Sequence, residues 1–537
     1  MFKRVTVCLL VSLLLLGLLA IAETAVPETP GAQVGGTLTI GVSQTFKDLD
    51  PRIMNSAYDG YVTGQIFDDL IVLDPYTFEP QPYVAKSWEV LSDDRVRFYL
   101  NEGIKFHNGE DLTAEDVAFT FNWIADPENN SPNFTELVWM QEVVVVDDYT
   151  VDVITKPDYA PFAPGFAQET QSIVPKDTVL AMGDEEFNLH PIGSGPYKFE
   201  EWKTGESLTI VRNEDYWLTY PNLDRVVYRP IPELSVMMLE LEAGGIDIAD
   251  NMPAQDVVRF QEMTGRSVAQ CPSMFCAYMF FNLQHTPGND PRFREAVYRS
   301  TNIDAAVFSI FQNLTGVRSY GCVPPAIWAN DVPYLRDNVA LEEDDARSKQ
   351  LIAELKADGV IPEDRPLTVY CPLDPRRTQI ATIIATNLIE NGLNVIVQPL
   401  DWGPYLDMAY RSESDPTAAE LDMGIIGWSG GPDPHDFLYY LFDSDNATVG
   451  SADNLSWYQD PEFDAWIKEA DTTLDTARRE ELYVKAQRKV YEEIINIPLY
   501  HYIETRGLND RVQGFLISPL SEMHICDPYH NVWVKSS

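Results

Sequence analysis

Two periodicities divide this chain. Stretches in which apolar and polar residues alternate and β-branched residues accumulate predict strands at Thr37–Val42, 143–146, 150–154, 208–212, 226–231, 367–371, 395–398 and 421–426. Recurrence at three or four positions predicts helices. In 476–495, Leu482, Ala486, Val490 and Ile494 stand four apart, so one face is buried while the Arg, Glu and Lys face meets water. Helix starts are marked by a polar cap, often followed by proline: Thr113 opens a helix through Trp123, Asp290-Pro291 one to Ser300, and Asp460-Pro461 one to Ala470. Strands and helices interleave along the chain without an internal repeat. This order predicts an α/β class, with lobes whose ligand crevices lie at strand ends.

The first 22 residues follow another logic. Lys3 and Arg4 precede an apolar run from Val5 to Ala22, interrupted by Thr6 and Ser12, that closes on Ala20-Ile21-Ala22. This is the pattern of a cleaved signal peptide over 1–22, and a linker rich in Pro, Gly and Ala follows over 23–35. A retained anchor is the alternative, but the run falls short of the ~20 apolar residues of a comfortable span. Cys8 stands too early for lipidation. The expected location is therefore extracytoplasmic: a periplasm or the outer face of the cytoplasmic membrane.

Composition narrows the function classes. A chain of 537 residues, 45% hydrophobic and 11% aromatic, has the makings of two or three folding units. Against 38 Lys and Arg stand 83 Asp and Glu, a formal charge of −45, so nucleic acid is repelled by the mean field and excluded as a partner. Loss of the leader leaves Cys271, Cys276, Cys322, Cys371 and Cys526. Five is too few for a disulfide scaffold, an odd number leaves one unpaired, and the pairing stays open. The single metal-like grouping, His524, Cys526 and His530, lacks a neighbouring motif of known spacing and reads as a packed C-terminal segment. No metal or cofactor is expected.

Several segments carry more specific information. They are GGTLTIGV (35–42), PYVAKSWEV (82–90), FYLNEGIKFHNGEDLTAEDVAFTFNW (98–123), PIGSGPYKFEEWKTGESLTIVRNEDYW (191–217), LEAGGIDIAD (241–250), NDPRFREAVYRSTNIDA (289–305) and IPLYHYIETRGLNDRVQGF (497–515). Gly109 and Gly193-Ser194-Gly195-Pro196 suit tight turns, and Trp88, Trp123, Trp202 and Trp217 suit core anchors. In this order and spacing the segments resemble the family 5 extracytoplasmic solute-binding proteins of ABC transporters, which include oligopeptide-, dipeptide-, nickel- and some oligosaccharide-binding members. The resemblance implies a bilobal periplasmic-binding-protein-like fold, type II, of the large three-subdomain variety. It implies two interlobe crossings, near 277–282 and 497–502. Lobe I would hold 36–282 plus 500–534, with a family-specific subdomain at about 59–189, and lobe II would hold 283–499. It also implies a monomer that closes on a hinge and presents its ligand to the permease subunits of the transporter.

The resemblance places the cleft at Gly427-Trp428-Ser429-Gly430-Gly431-Pro432-Asp433, directly after the strand 421–426. Exposed glycines there would let an extended ligand approach the main chain, with Trp428 as an apolar wall and Trp402 as a second cleft tryptophan. Two positions depart from peptide-binding members. The Asp that holds the ligand ammonium three residues after the Trp is here Gly431, with Asp433 nearby as a substitute, and the Arg three residues before the Trp is Ile425. Arg376 or Arg377, in the loop after 367–371, offers positive charge instead. An unpaired ionic ligand end is costly to bury, so a neutral oligosaccharide stands as the alternative to an oligopeptide. Gly427 to Gly431 also fits the G-x-S-x-G of a hydrolase nucleophile elbow at Ser429, with Asp510 and His524 as partners. Pro432-Asp433-Pro434 opposes the immediate helix such an elbow needs, so the chain is read as a receptor and not an enzyme.

Overall fold

Two long strands, Arg266–Phe281 and Asn496–Asn509, run side by side in opposite directions and carry the rest of the molecule on either hand. The structure is a computed structural model describing residues 31–92, 94–137, 139–156, 169–409, 421–447, 453–473, 475–520 and 522–536. The expected signal peptide and most of the linker lie outside the described residues.

The main sheet has eleven strands. From one edge it runs Val395–Leu400, Leu367–Pro372, Met423–Ser429, the two long strands, Ile248–Ala249, Thr37–Val42, Arg225–Pro230, Ser207–Arg212 and Tyr197–Lys203, while Gly316–Arg318 joins the second long strand. Phe275–Phe281 pairs with Met423–Ser429 on one hand, and Gly507 and Leu508 pair with Ile248–Ala249 on the other. Each long strand thus serves one half of the sheet at one end and the other half at the other end. Between the halves the pairing slips, at Pro272 to Cys276. Pro272 brings no N–H to the ladder, and the Ser273 hydroxyl donates to the Tyr502 carbonyl while accepting from the Phe275 amide.

Alternation along the first long strand fixes the layers. Ala277, Met279 and Phe281 enter a core with Phe293, Val307, Leu351 and Ile384, whereas Cys276, Tyr278 and Phe280 enter one with Tyr405, Phe437, Phe463 and Leu482. Helices therefore cover both faces of this half: Pro291–Arg299, Ile303–Phe311, Asp345–Ala357 and Pro375–Glu390 on one, and Trp402–Ala409, His435–Phe442, Pro461–Thr472 and Thr476–Glu492 on the other. Beside the other half lies a separate antiparallel sheet of Ala85–Ser92, Arg95–Leu100, Thr150–Thr155 and Met140–Asp147, whose apolar face is covered by Ala114–Ala125. Thr113 and Asp116 form a capping box at the start of that helix.

Arg52 ties this small sheet's layer to its neighbour. Fully buried, it meets Asp50 and Asp184, and its guanidinium lies 4.4 Å from the Trp123 ring centre. Trp123 is thus a platform for a buried cation besides filling space. Trp217 likewise donates from Nε1 to Asp68 at 3.0 Å. The five cysteines are free thiols, and Cys276, Cys322, Cys371 and Cys526 are buried.

Candidate functional site

Met423–Ser429 is the central strand of its half and the origin of the site. On one side it pairs with the first long strand through Ser429 opposite Phe275; on the other, pairing with Leu367–Pro372 stops at Gly424. The strand therefore extends past residue 426, and Gly427, Trp428 and Ser429 lie on it, paired in the ladder on one side only. The sequence reading ended it at 426 because glycine and serine are poor strand formers; the long strand beside it holds them in the ladder.

The glycines answer to this protein's own side chains. A Cβ on Gly427 would lie 2.0 Å from the Phe275 ring, one on Gly430 2.9 Å from the Asp436 Cβ, and one on Gly431 2.6 Å from the Asp436 Oδ2. The expectation that they stand open for a ligand backbone is corrected: internal close approach requires them, and the unpaired strand edge is what an extended ligand would meet.

Trp428 is half-buried; its Nε1 donates to the Asp436 carbonyl at 2.7 Å and its ring lies 5.6 Å from Tyr440. Ser429 is exposed. Asp433 is not a free counter-charge. It is 4% exposed and accepts from Arg479 at 3.0 Å and from the Tyr483 hydroxyl at 3.2 Å, holding the turn into His435–Phe442. The acid beside Gly431 is Asp436, whose Oδ2 accepts the Gly431 amide at 2.9 Å. Burial pushes its carboxyl up to about 6, and the neighbouring Asp433 and Glu136 push the same way. Glu136 belongs to Phe134–Leu137, in the small sheet's layer, so Asp436 lies within electrostatic reach of the opposite side; burial raises Glu136 as well. His435 pairs through Nδ1 with Asp471 at 2.7 Å and stacks on Tyr439.

Arg376 and Arg377 are not in a loop. Asp374 caps Pro375–Glu390, and both arginines stand in its first turn. Arg376 lies 4.8 Å from the Tyr502 ring and Arg377 5.9 Å from that of Phe275, while these two rings, one from each long strand, stack at 4.4 Å. Arg377 Nη2 reaches within 3.0 Å of where a Gly427 Cβ would be, and its buried Nε has no hydrogen-bond partner. Trp402, 52% exposed, stacks on Tyr405, whose hydroxyl donates to the Ile425 carbonyl. The structure thus groups Trp428, Ser429, Gly430 and Gly431 with Arg377 and Arg376, leaves Asp433 in the lobe's interior, and adds Asp436, Glu136, Phe275 and Tyr502. Tyr502 ends the crossing expected at 497–502, whereas Phe275 stands just before the one expected at 277–282. Asp436 and Glu136 gave no local signal, because only the fold brings them near.

Hydrolase geometry is absent at Ser429. The next helix starts six residues on, at His435, and among the described residues no histidine bonds to the Ser429 hydroxyl. His524 bonds to Asp527 at 2.7 Å, and His530 bonds to the same carboxylate at 2.8 Å. Cys526, buried in an apolar core, is replaced by Asp527 in that C-terminal grouping.

The family model described as bacterial extracellular solute-binding proteins, family 5 middle, matches residues 79–449. The dipeptide-binding protein of Escherichia coli is 26% identical over 95% of this chain and 97% of its own length. Heme-binding protein A of Haemophilus influenzae is 27% identical over 85% of each. Among solved structures, DppA of Helicobacter pylori in complex with the peptide STSA superposes with a TM-score of 0.78 at 24% identity, covering 94% of this chain and 99% of that one. HbpA2 of Haemophilus parasuis gives 0.80 at 25%, covering 93% and 100%. No helix among the described residues is long and apolar enough to cross a membrane. The chain therefore belongs to the family 5 extracytoplasmic solute-binding proteins of ABC transporters, with the type II periplasmic-binding-protein fold, and is a transport-associated binding protein and not an enzyme.

Proposed function

We propose that this protein captures a short peptide, of two to four residues, in extended form along Gly427–Ser429 and presents it to ABC permease subunits. One observation carries the reading: a strand edge paired on one side only, with a buried, unpartnered arginine nitrogen at one end and a carboxylate at the other. The ligand carboxylate meets Arg377, and its ammonium lies toward Asp436 and Glu136, two carboxyls raised mainly by burial that a cation beside them would help to ionise. From Gly427 beside Arg377 to Gly431 beside Asp436 is four residues, at most ~13 Å of extended chain, which sets the ligand's length. Relatives named for dipeptides and di/tripeptides support this size.

The protein is exported by its signal peptide over 1–22 and acts as a monomer. The lobes expected at 36–282 plus 500–534 and at 283–499 close, on this reading, about the slipped pairing at Pro272 to Cys276, a few residues before the expected boundary, because 276–281 pack with 283–499. The test is calorimetry with a tripeptide, its N-acetyl form and its C-terminal amide. Each blocked end should weaken binding by about 10- to 100-fold, the worth of a charged hydrogen bond. Arg377→Ala should cost the free peptide a similar factor and the amide little more. Equal affinity for free and blocked peptides, or co-purification of a hexose series or heme in place of peptide, would overturn the assignment.

A further inference from the structure

The small sheet has an edge that the peptide site does not use. Its order ends on Met140–Asp147, which pairs with Thr150–Thr155 on one side and, among the described residues, with no strand on the other. At Val143 the place of a further strand is already filled. The Asn122 side chain, from the helix Ala114–Ala125, donates to the Val143 carbonyl and accepts from the Val143 amide, both at 2.8 Å. These two bonds show which way the ladder faces, since successive residues of an antiparallel strand turn their N–H and C=O alternately to its two sides. Val143 opposite Val153 and Val145 opposite Val151 stand in unbroken register. Val145 therefore also turns its N–H and C=O outward.

Val144, Val145 and Val146 are 38%, 39% and 44% exposed, and Val145 lines a cavity of about 510 Å³ with Phe119, Trp123, Glu115, Asp126 and Lys176. Lys176 is taken by Glu115 at 2.7 Å. Asp126 accepts the Glu128 amide through Oδ1 at 2.9 Å, and its Oδ2 has no partner among the described residues. At the far end of the strand Asp147 and Asp148 are exposed, and Arg97, whose charge reaches Asp147, is held by Asp152 at 2.6 Å. The place combines an apolar wall, an outward backbone pair and the carboxylates of Glu115, Asp126, Asp147 and Asp148 against the one ammonium of Lys176.

We propose that this edge docks a basic, extended segment of a second protein, which enters past Asp147 and Asp148, pairs with the Val145 N–H and C=O, and stops at Val143, where Asn122 already fills the ladder. The stem of a lysine or arginine then lies along Phe119 and Trp123 while the surrounding carboxylates draw its charge. Charge selects the occupant: a second copy would bring its own Glu142 and Asp147, on a chain of net charge −45, against the same acids. Those acids and Asn122 also keep an exposed valine edge from pairing with any strand it meets.

The test uses the mature chain and a fluorescein-labelled heptapeptide with blocked ends, Lys-Val-Lys-Val-Thr-Val-Lys, beside one of equal charge with proline in place of its valines. Fluorescence anisotropy at low salt should show the valine peptide binding about tenfold tighter or more, the proline peptide reporting only the general attraction of an acidic chain for a base. Hydrogen exchange at the Val145 amide, resolved by fragmentation mass spectrometry, should be fast in the free chain and slow with the valine peptide. Val145→Pro removes the outward N–H and should weaken that peptide about tenfold or more. Asp147→Lys combined with Asp148→Lys should weaken it by a similar factor, and Trp428→Ala should leave it unchanged. Should Val145→Pro fail to fold, the aspartate pair and the exchange decide. Equal binding of the two peptides, undiminished binding in the doubly substituted chain, or loss in Trp428→Ala would overturn the proposal. So would slow exchange at Val145 before any peptide is added, which means that the chain's own residues cover the edge, or dimerisation that the Val145→Pro change abolishes, which gives the edge to a second copy.

Discussion

His435 stands where two opposing effects on one imidazole can be weighed. Burial alone lowers it, but Asp471 at 2.7 Å, with Asp436 and Asp433 behind, outweighs burial and holds the ring up to about 9. A group raised on folding stabilises fully below its free value, about 6.5 for histidine, and that contribution is lost as pH climbs through 9. Thermal midpoints should therefore fall between pH 6.5 and 9, by up to roughly 3 kcal/mol of stability, and His435→Gln should flatten that limb. Asp436, raised to about 6, acts in the same direction at lower pH: what it contributes is present below about 4 and lost by 6. At Gly427 the test is steric. Alanine there drives a methyl into Phe275 at 2.0 Å, so urea unfolding should show a loss of ~1–3 kcal/mol. That Gly427 to Gly431 mattered was visible in the sequence, but the reason was not, since the obstructing atoms come from Phe275, more than a hundred positions away, and from Asp436, whose loop folds back only in three dimensions.

Among the elements, Ala114–Ala125 is held at its start by its capping box and in its last turn by Arg52 lying on Trp123. Removing one member of a buried ion pair strands the other. Arg52→Ala should therefore cost ~3–5 kcal/mol and loosen the small sheet's layer first, as hydrogen exchange over 114–125 would report. The eight strands and four helices expected from periodicity and capping are present, and Thr476–Glu492 ends only three residues before the expected limit. Of the elements not foreseen, two were passed over for different reasons. Asp374-Pro375 carries the same opening signature as Asp290-Pro291 and Asp460-Pro461, so the helix holding Arg376 and Arg377 was there to be found. Arg266–Phe281 was not, because Pro272 in its middle argues against a strand unless the ladder slips there, and a slip is a tertiary event.

On the scale of the whole molecule, 83 acidic against 38 basic residues would oppose the lobe closure proposed above, by repulsion between the two lobes. Salt screens that repulsion. Small-angle scattering of the ligand-free protein should show a smaller radius of gyration at ~0.5 M salt than at ~0.02 M, and a peptide ligand should produce the compact profile even at low salt. A radius indifferent to both would contradict jaw closure. The tethers set the form of that movement. A single linker would let one jaw roll, twist and swing, but two strands stitched to each other by backbone bonds behave as a flat strap: stiff in its own plane and compliant about the short stretch where the stitching shifts, between Pro272 and Cys276 and again at Ala277 to Tyr278. Opening should then follow one arc, and a transporter docking on both jaws would need to gauge only how far along it they stand.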